Sequence, residues 1–416
     1  MRIVRALLVL VIAGALLAPL VRAQEGPLTL ADCYRLALAR SEAIGIQKEL
    51  ILETEGLMLQ SLSTALPKVA FAYSEKWQDV YKGDSFHSNV PEAKFTLSQP
   101  LFTGFKEFAA IRASRHIGKQ RAAELKRAEQ LLLVDVSDAF YLCLSLQEDE
   151  EALKDIIKAL KDRFTEMQKR QGIGKSRKSE VVNVEARLRR AEAGLAMTMV
   201  QKEASGALLE FLIGREPEAL LDDVLPQEAR TLEAMAQELE SRADIAAARE
   251  ALAAYKQNVT AARSQFFPTA TLSGNSYTTR VGTSAGNDWD VTLGVSVPIF
   301  NGLSDVGAVK QARAQKNQAS LRLDQARRKA KMELRTAFRK WTLYEKRLTG
   351  LERALEAVRE NYVLQSEDFQ KNLVSNLDVL QAIEDLQAVR REKAVAKADA
   401  RRAFWALKIA VGGVEL

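Results

Sequence analysis

The stretch Gln99-Pro100-Leu101-Phe102-Thr103-Gly104 returns in kind as Val297-Pro298-Ile299-Phe300-Asn301-Gly302, 198 residues further along the chain. The same offset carries Ala139-Phe140 onto Ala337-Phe338, Glu180-Val181 onto Asp378-Val379, and Leu212-Ile213-Gly214 onto Ala410-Val411-Gly412. The register runs without a gap for more than 110 residues. Upstream the offset becomes 201, pairing Ala43-Ile44 with Asp244-Ile245 and Pro67 with Pro268. The three-residue difference falls between about residues 81 and 98, where Gly83, Asp84, Ser85, Asn89 and Pro91 read as a loop. A self-match this long marks an internal duplication. Each copy reads helix, strand, loop, strand, long helix, turn, long helix.

The segments before each corner alternate. Val69, Phe71, Tyr73 and Trp77 occupy odd positions. Ala93, Phe95 and Leu97 are separated by Lys94, Thr96 and Ser98. Trp289, Val291, Leu293, Val295 and Val297 are separated by Asp290, Thr292, Gly294 and Ser296. A period of two puts one set on each face of a sheet. Runs of about ten residues are long enough for a tilted strand to cross a bilayer. Trp77, Tyr81, Tyr277 and Trp289 stand at strand ends, where aromatics suit a lipid interface. Strands are expected at about 67–80, 92–101, 268–280 and 288–299.

Of nine prolines, none lies between Pro100 and Pro217 or after Pro298. Both tracts are rich in good helix formers. They predict long helices from Thr103 to about Gly172, Lys178 to Leu212, Leu303 to about Gln370, and Leu377 to Val411. Leu132, Val136, Phe140 and Cys143 show the three- and four-residue spacing of a packed face. The fold class is mostly α with a small β part.

Composition limits the function. The 416 residues are 47% hydrophobic, 27% charged and 6% aromatic, with a net charge of +6. A mean hydropathy of −0.16 excludes a bundle of transmembrane helices, and the apolar content excludes a disordered chain. The basic excess is spread out, which argues against nucleic-acid binding. Arg2 and Arg5, the apolar run Ala6 to Ala18, and Val21-Arg22-Ala23 read as a secretory signal over residues 1–23. Without Arg2, Arg5 and Arg22 the basic count falls from 60 to 57, against 54 acids. The remainder divides into a first repeat at 24–214, a linker at 215–230 and a second repeat at 231–416.

Four strands cannot close a membrane barrel, because the smallest use about eight. An open sheet edge in lipid leaves backbone groups unsatisfied at several kcal/mol each. Membrane strands here therefore require a barrel shared between chains, a homo-oligomer.

The two corner motifs resemble those of the outer-membrane efflux protein family, the TolC-like channels. So do Leu28-Thr29-Leu30-Ala31-Asp32, with Ala37-Leu38 and Ser41-Glu42-Ala43-Ile44 behind it, and Leu377-Asp378-Val379-Leu380-Gln381-Ala382. The resemblance spans about Leu28 to Gly412. It implies a homotrimer in the outer membrane. Each protomer would give four strands to one twelve-stranded barrel, continued through the periplasm by a trimeric α-helical tunnel of duplicated long-helix hairpins. It implies a passive exit duct for substrates delivered by an inner-membrane transporter of RND or ABC type through a periplasmic adaptor. Outer-membrane lipid surrounds such a barrel.

In such channels the tunnel narrows at the helix-to-helix turns, here about Gly172–Ser179 and Gln370–Asn376. The family's second-turn motif commonly holds two acids three residues apart, and here the pair is Asp378 and Gln381. Asp378 is the candidate for a cation-attracting ring. Gln381 breaks a double acidic ring, and Glu180 is the repeat equivalent of Asp378. Either acid could instead serve its own helix N-terminus. Pro100, Phe102, Gly104, Pro298, Phe300 and Gly302 form the barrel-to-helix corners.

Other motifs carry less. Gly174-Lys175-Ser176 resembles the end of a phosphate loop, but position 169 is Lys and no strand precedes it. His87 and His116 lack the companions of a zinc site. Cys33 and Cys143 read as small buried residues. No catalytic cluster, cofactor site or metal site is expected. Two other functions share features of the chain: a soluble periplasmic coiled-coil adaptor or chaperone, and an outer-membrane channel for type I protein secretion.

Overall fold

The computed structural model describes residues 27–77, 89–217, 219–220, 230–281 and 286–413. The leader, Tyr81, Gly83, Asp84, Ser85 and His87 lie outside the described residues. The first copy begins with α1 (Leu30–Arg40) and α2 (Glu42–Ser63). Thr29 and Asp32 cap α1 reciprocally: the Asp32 amide donates to Thr29 Oγ1 and the Thr29 amide to Asp32 Oδ2, each at 3.2 Å. Ser41 closes α1 and caps α2, its Oγ accepting from the Ile44 amide. Strands β1 (Lys68–Trp77) and β2 (Asn89–Phe102) follow, then α3 (Lys106–Gly172) and α4 (Lys178–Ile213). The second copy runs α5 (Leu232–Gln237), a 3-10 turn, α6 (Ala243–Arg263), β3 (Thr269–Arg280), β4 (Trp289–Ser296), α7 (Ser304–Gln370) and α8 (Asn376–Val411). At 67 residues each, α3 and α7 are about 100 Å long.

The duplication is written into the backbone. Among the described residues, the left-handed positions are Gly104, Phe105, Gly174, Gly214, Gly302, Leu303, Asn372 and Gly412. They form four pairs at the offset of 198. Gly174 and Asn372 make the same helix-to-helix turn with the two residue types that best tolerate it. Phe105 and Leu303 start the long helices from a conformation their side chains oppose, which the following helix stabilises.

The four strands form one antiparallel sheet in the order β1-β2-β3-β4. Asn89 and Pro91 belong to β2, opposite Trp77 and Glu75, rather than to a loop. Pro91 is tolerated because β3 pairing begins only at Glu92, so nothing on that side needs its missing N–H. Tyr277 also departs from expectation. Beside a register shift at Ala93/Lys94 it lies opposite Lys94 on the polar face, away from the apolar one.

The helices lie side by side as a wall. Next to the sheet the neighbours are α2, α3, α6 and α7; toward the far end they are α4, α3, α8 and α7. Midway, a core joins Cys33 and Tyr34 of α1, Phe140 and Cys143 of α3, Leu209 of α4 and Trp405 of α8. Trp405 Nε1 donates to Tyr141 OH at 3.2 Å. Cys33 and Cys143 are both buried thiols, and burial pushes Cys143 above the ordinary thiol range. A second core gathers Met235, Ile245, Leu334 and Leu407. A third sits at the far end around Ile157, Val184, Phe369 and Leu380.

Arg242 binds the α6 N-terminus to the rest of the wall. Its side chain is fully buried. The guanidinium donates to both Asp244 oxygens (3.0 and 2.7 Å), to Glu333 of α7 (2.7 Å) and to the Ala410 carbonyl of α8 (2.9 Å).

The corner glycines differ in what surrounds them. A Cβ on Gly104 would stand 2.7 Å from the Ser264 carbonyl and 2.8 Å from Phe267 Cβ, whereas one on Gly302 meets nothing within 4 Å. Gly302→Ala should cost only the left-handed strain of about 1–2 kcal/mol. Gly104→Ala should cost more and lower the thermal midpoint further. Equal midpoints for the two variants would show that α3 and α6 part freely at this corner.

Candidate functional site

The sheet has one apolar and one polar face. Val69, Phe71, Tyr73, Phe95, Leu97, Val291, Leu293 and Val295 share one side and are all solvent-exposed in the single chain. An exposed apolar surface this continuous is a lipid or protein interface. The other face is a hydrogen-bonded polar row. Thr96 Oγ1 donates to Asn275 Oδ1 (2.9 Å), Asn275 Nδ2 to Asp290 Oδ1 (2.8 Å), and Tyr277 OH to Asp290 Oδ2 (2.6 Å). Lys94 pairs with Glu92 at 2.7 Å, and Arg280 stacks on the Tyr277 ring at 3.9 Å. Apolar outside and polar inside is the pattern of a water-filled barrel wall. Among the described residues, the outer edges of β1 and β4 have no strand partner.

The far end is built by the α3–α4 and α7–α8 turns. Asp378 is exposed and serves the helix cap: Ser375 donates to Asp378 Oδ2 from its amide (2.8 Å) and hydroxyl (2.6 Å). The Ser375 hydroxyl, then its amide, hold the Asp378 carboxyl below the ordinary range. Glu180 does the same work one repeat earlier, accepting from Ser176 Oγ and the Arg177 amide. Gln381 donates to Asp385 at 2.9 Å. Asp378, Gln381 and Asp385 follow one helix face at spacings of three and four. Sequence reasoning missed Asp385, although its spacing of seven from Asp378 was a usable signal.

Between α3 and the α7–α8 turn sits a clasp with no motif. Arg163 of α3 is buried, donates to Asn376 Oδ1 at 2.8 Å and stacks on Phe369 at 3.6 Å. Arg170 stacks on the same ring at 4.2 Å and donates to Asn372 at 3.2 Å. Glu166 accepts from Arg163 (3.0 Å) and Arg170 (3.2 Å).

The remaining candidates fall elsewhere. Pro100 and Phe102 end β2, Gly104 lies between β2 and α3, and Pro298, Phe300 and Gly302 lie between β4 and α7. His116 pairs with Glu250 at 2.7 Å, linking α3 to α6. Lys175 and Ser176 form the α3–α4 connector, far from any strand.

A sheet with a lipid-type face, carried on a wall of helices about 100 Å long, defines an outer-membrane exit channel. Residues 57–215 and 234–413 match the model of the outer membrane efflux protein family, and the chain belongs to that family. The outer membrane efflux protein BepC of Brucella suis is 24% identical over 327 residues, covering 76% of this chain and 71% of that protein. The alkaline protease secretion protein AprF of Pseudomonas aeruginosa is 23% identical over 425 residues, covering 94% and 86%. The outer membrane protein VceC of Vibrio cholerae superposes with a TM-score of 0.80 at 20% identity, over 92% of this chain and 96% of that one. Fold and family are those of channel proteins. The chain is thus an outer-membrane channel protein.

Proposed function

We propose that three copies close the sheet edges into one twelve-stranded barrel and join their helix walls into a tunnel entered past Asp378. The observation that carries this is the four-stranded sheet with an apolar face and two open edges, which lipid does not tolerate in a single copy. Exposed apolar side chains on the outer helices of the wall, Ile46 and Leu59 of α2, Phe211 of α4, Leu321 and Leu343 of α7, support the same contact. Substrates would arrive from an inner-membrane transporter of RND or ABC type through a periplasmic adaptor and leave without further energy input. The 215–230 linker separates the two repeat units of this wall. Detergent-extracted protein migrating as a monomer with no channel activity would refute the assembly.

In this reading three Asp378 carboxylates ring the entrance, with Asp385 two turns along the helix. A carboxyl held below its ordinary pKa stays charged at neutral and mildly acidic pH. Cation preference in planar bilayers should therefore be flat from pH 7 to about 5 and fade only below about 4. Asp378→Asn should lower the cation-to-anion permeability ratio. An unchanged ratio would remove Asp378 from the conduction path.

The match to AprF across 94% of the chain favours a second reading, export of folded or unfolded proteins. Reconstitution with candidate pump–adaptor pairs, scored for drug tolerance and for secreted protein, separates the two.

A further inference from the structure

The apolar face of the sheet continues beyond the strands. Phe102 pairs with Ala270, which pairs with Val295 on that face. The Phe102 ring meets Phe105 edge-on at 5.3 Å. Past β4, Val297 and Ile299 keep the outward alternation, Ile299 being 94% exposed. The helix starts then present the cap residue Phe105 with Phe108 of α3, and the cap residue Leu303 with Val306 of α7, all more than half exposed. One further turn along each helix come Arg112 and Arg115, and Lys310 and Arg313, all exposed. These eight residues are four equivalent pairs at the offset of 198. Within each helix the spacing from the first apolar residue is three, seven and ten, which is a single face.

Among the described residues, no ion pair or hydrogen bond holds any of the four cations. Glu55 of α2 lines the groove that Arg112 and Arg115 share. The first-turn acids Glu107 and Asp305 stand two residues from Phe105 and Leu303, on other sides of their helices.

We infer that this face is a docking surface for anionic phospholipid headgroups in the periplasmic leaflet. The inference rests on the membrane placement of the barrel. Phe105, Phe108, Leu303 and Val306 would enter the acyl boundary, and the four cations would contact phosphate. At 1.5 Å per residue, the cations lie about 10–15 Å along the helix from Phe105 or Leu303. Both helices begin at the membrane, and helical side chains lean toward the N-terminus. Long Arg and Lys side chains therefore reach back toward the headgroups. A neutral headgroup would leave the charges unused.

The test is native mass spectrometry of the purified full-length oligomer after exposure to an equimolar mixture of phosphatidylglycerol and phosphatidylethanolamine. The wild type should retain phosphatidylglycerol preferentially. Each cation near an anionic surface is worth about fivefold, so combined Arg112→Gln, Arg115→Gln, Lys310→Gln and Arg313→Gln should lower the preference at least about tenfold. The charge-keeping set Arg112→Lys, Arg115→Lys, Lys310→Arg and Arg313→Lys should retain it. A wild type without preference, or a neutralised variant with wild-type preference, overturns the proposal. So does a neutralised variant that falls to monomers in lipid-free detergent, which would assign the face to a neighbouring copy. If the neutralised variant does not fold, the wild type decides: a preference that does not weaken with added salt overturns the proposal. Channel activity of the wild type in phosphatidylethanolamine bilayers reports on the barrel independently, so the two readings fail separately.

Discussion

Arg242→Ala is expected to destabilise the helical wall by about 3 kcal/mol, the low end of the cost of breaking a buried pair, since the two acids it leaves are part-exposed. The alanine would leave Asp244 with only the Ile245 amide, take the donor from the Ala410 carbonyl, and leave Glu333 to the longer contacts with Lys329 and Arg127. Arg242→Lys should fail nearly as badly, since an ammonium cannot hold both Asp244 oxygens and reach α7 and α8 together. Arg242→Met with Asp244→Asn and Glu333→Gln should recover part of the loss, because the penalty lies in the unpaired acids. Heat-induced dissociation of the purified oligomer measures all three. An Arg242→Ala midpoint within a degree or two of wild type would mean the network is incidental.

The same site gives a pH signature. Burial pushes the Asp244 carboxyl up, but the Arg242 hydrogen bonds and charge outweigh it and leave the group below its ordinary range. A depressed folded pKa adds stability above the unfolded value of about 3.9, and that stability is lost as pH falls through the folded value. The wild type should therefore weaken below about pH 4. In Arg242→Ala the largest lowering influence is gone and only the Arg127 charge and the Ile245 amide still oppose burial, so the Asp244 pKa rises from its wild-type value. A less depressed carboxyl loses less stability on protonation, so acidification should weaken the variant less than it weakens the wild type.

The legible and illegible parts of the fold separate by range. Strand faces follow from alternation within ten residues, and long helices from proline-free tracts, so both stand in the chain itself. Asp378 as a cap was equally local, because Ser375 lies three residues before it. Tyr277 was misplaced because its face depends on a register shift in β2, a different part of the chain. Asn89 and Pro91 were misread because turn-type residues become strand when a neighbour such as β1 is long enough to pair them. The Arg242 network joins residues 91 and 168 positions apart. The Arg163–Asn376 contact spans 213. Neither leaves a spacing pattern, since each depends on packing between elements far apart in sequence: within the second repeat for Arg242, and between the two repeats for Arg163 and Asn376.

In the proposed assembly the Arg163 clasp lies near the tunnel entrance, where such a long-range contact would bear on gating. Helix α3 meets the α7–α8 turn through Arg163, whose guanidinium stacks on Phe369 at 3.6 Å and donates to Asn376 at 2.8 Å in a buried setting. A hydrogen bond from a charged group is worth about 1.5–3 kcal/mol, and a desolvated cation–π contact about 2. Even half that sum shifts a clasped-to-splayed equilibrium by more than tenfold. Arg163→Ala should therefore let the turns separate, raising the time spent in the larger conductance state of single-channel records. Phe369→Leu keeps apolar volume and the Asn376 bond but removes the stacking, so its effect should be intermediate. Arg163→Lys should resemble alanine more than wild type, because an ammonium cannot stack flat while reaching Asn376. Helix content should be unchanged in all three, since the clasp joins α3 to the α7–α8 turn and no helix depends on it for its own hydrogen bonds. If open-state occupancy is the same in Arg163→Ala as in wild type, the two turns are held by the surrounding core of Val184, Leu380 and Ile383, and the arginine is only its cover.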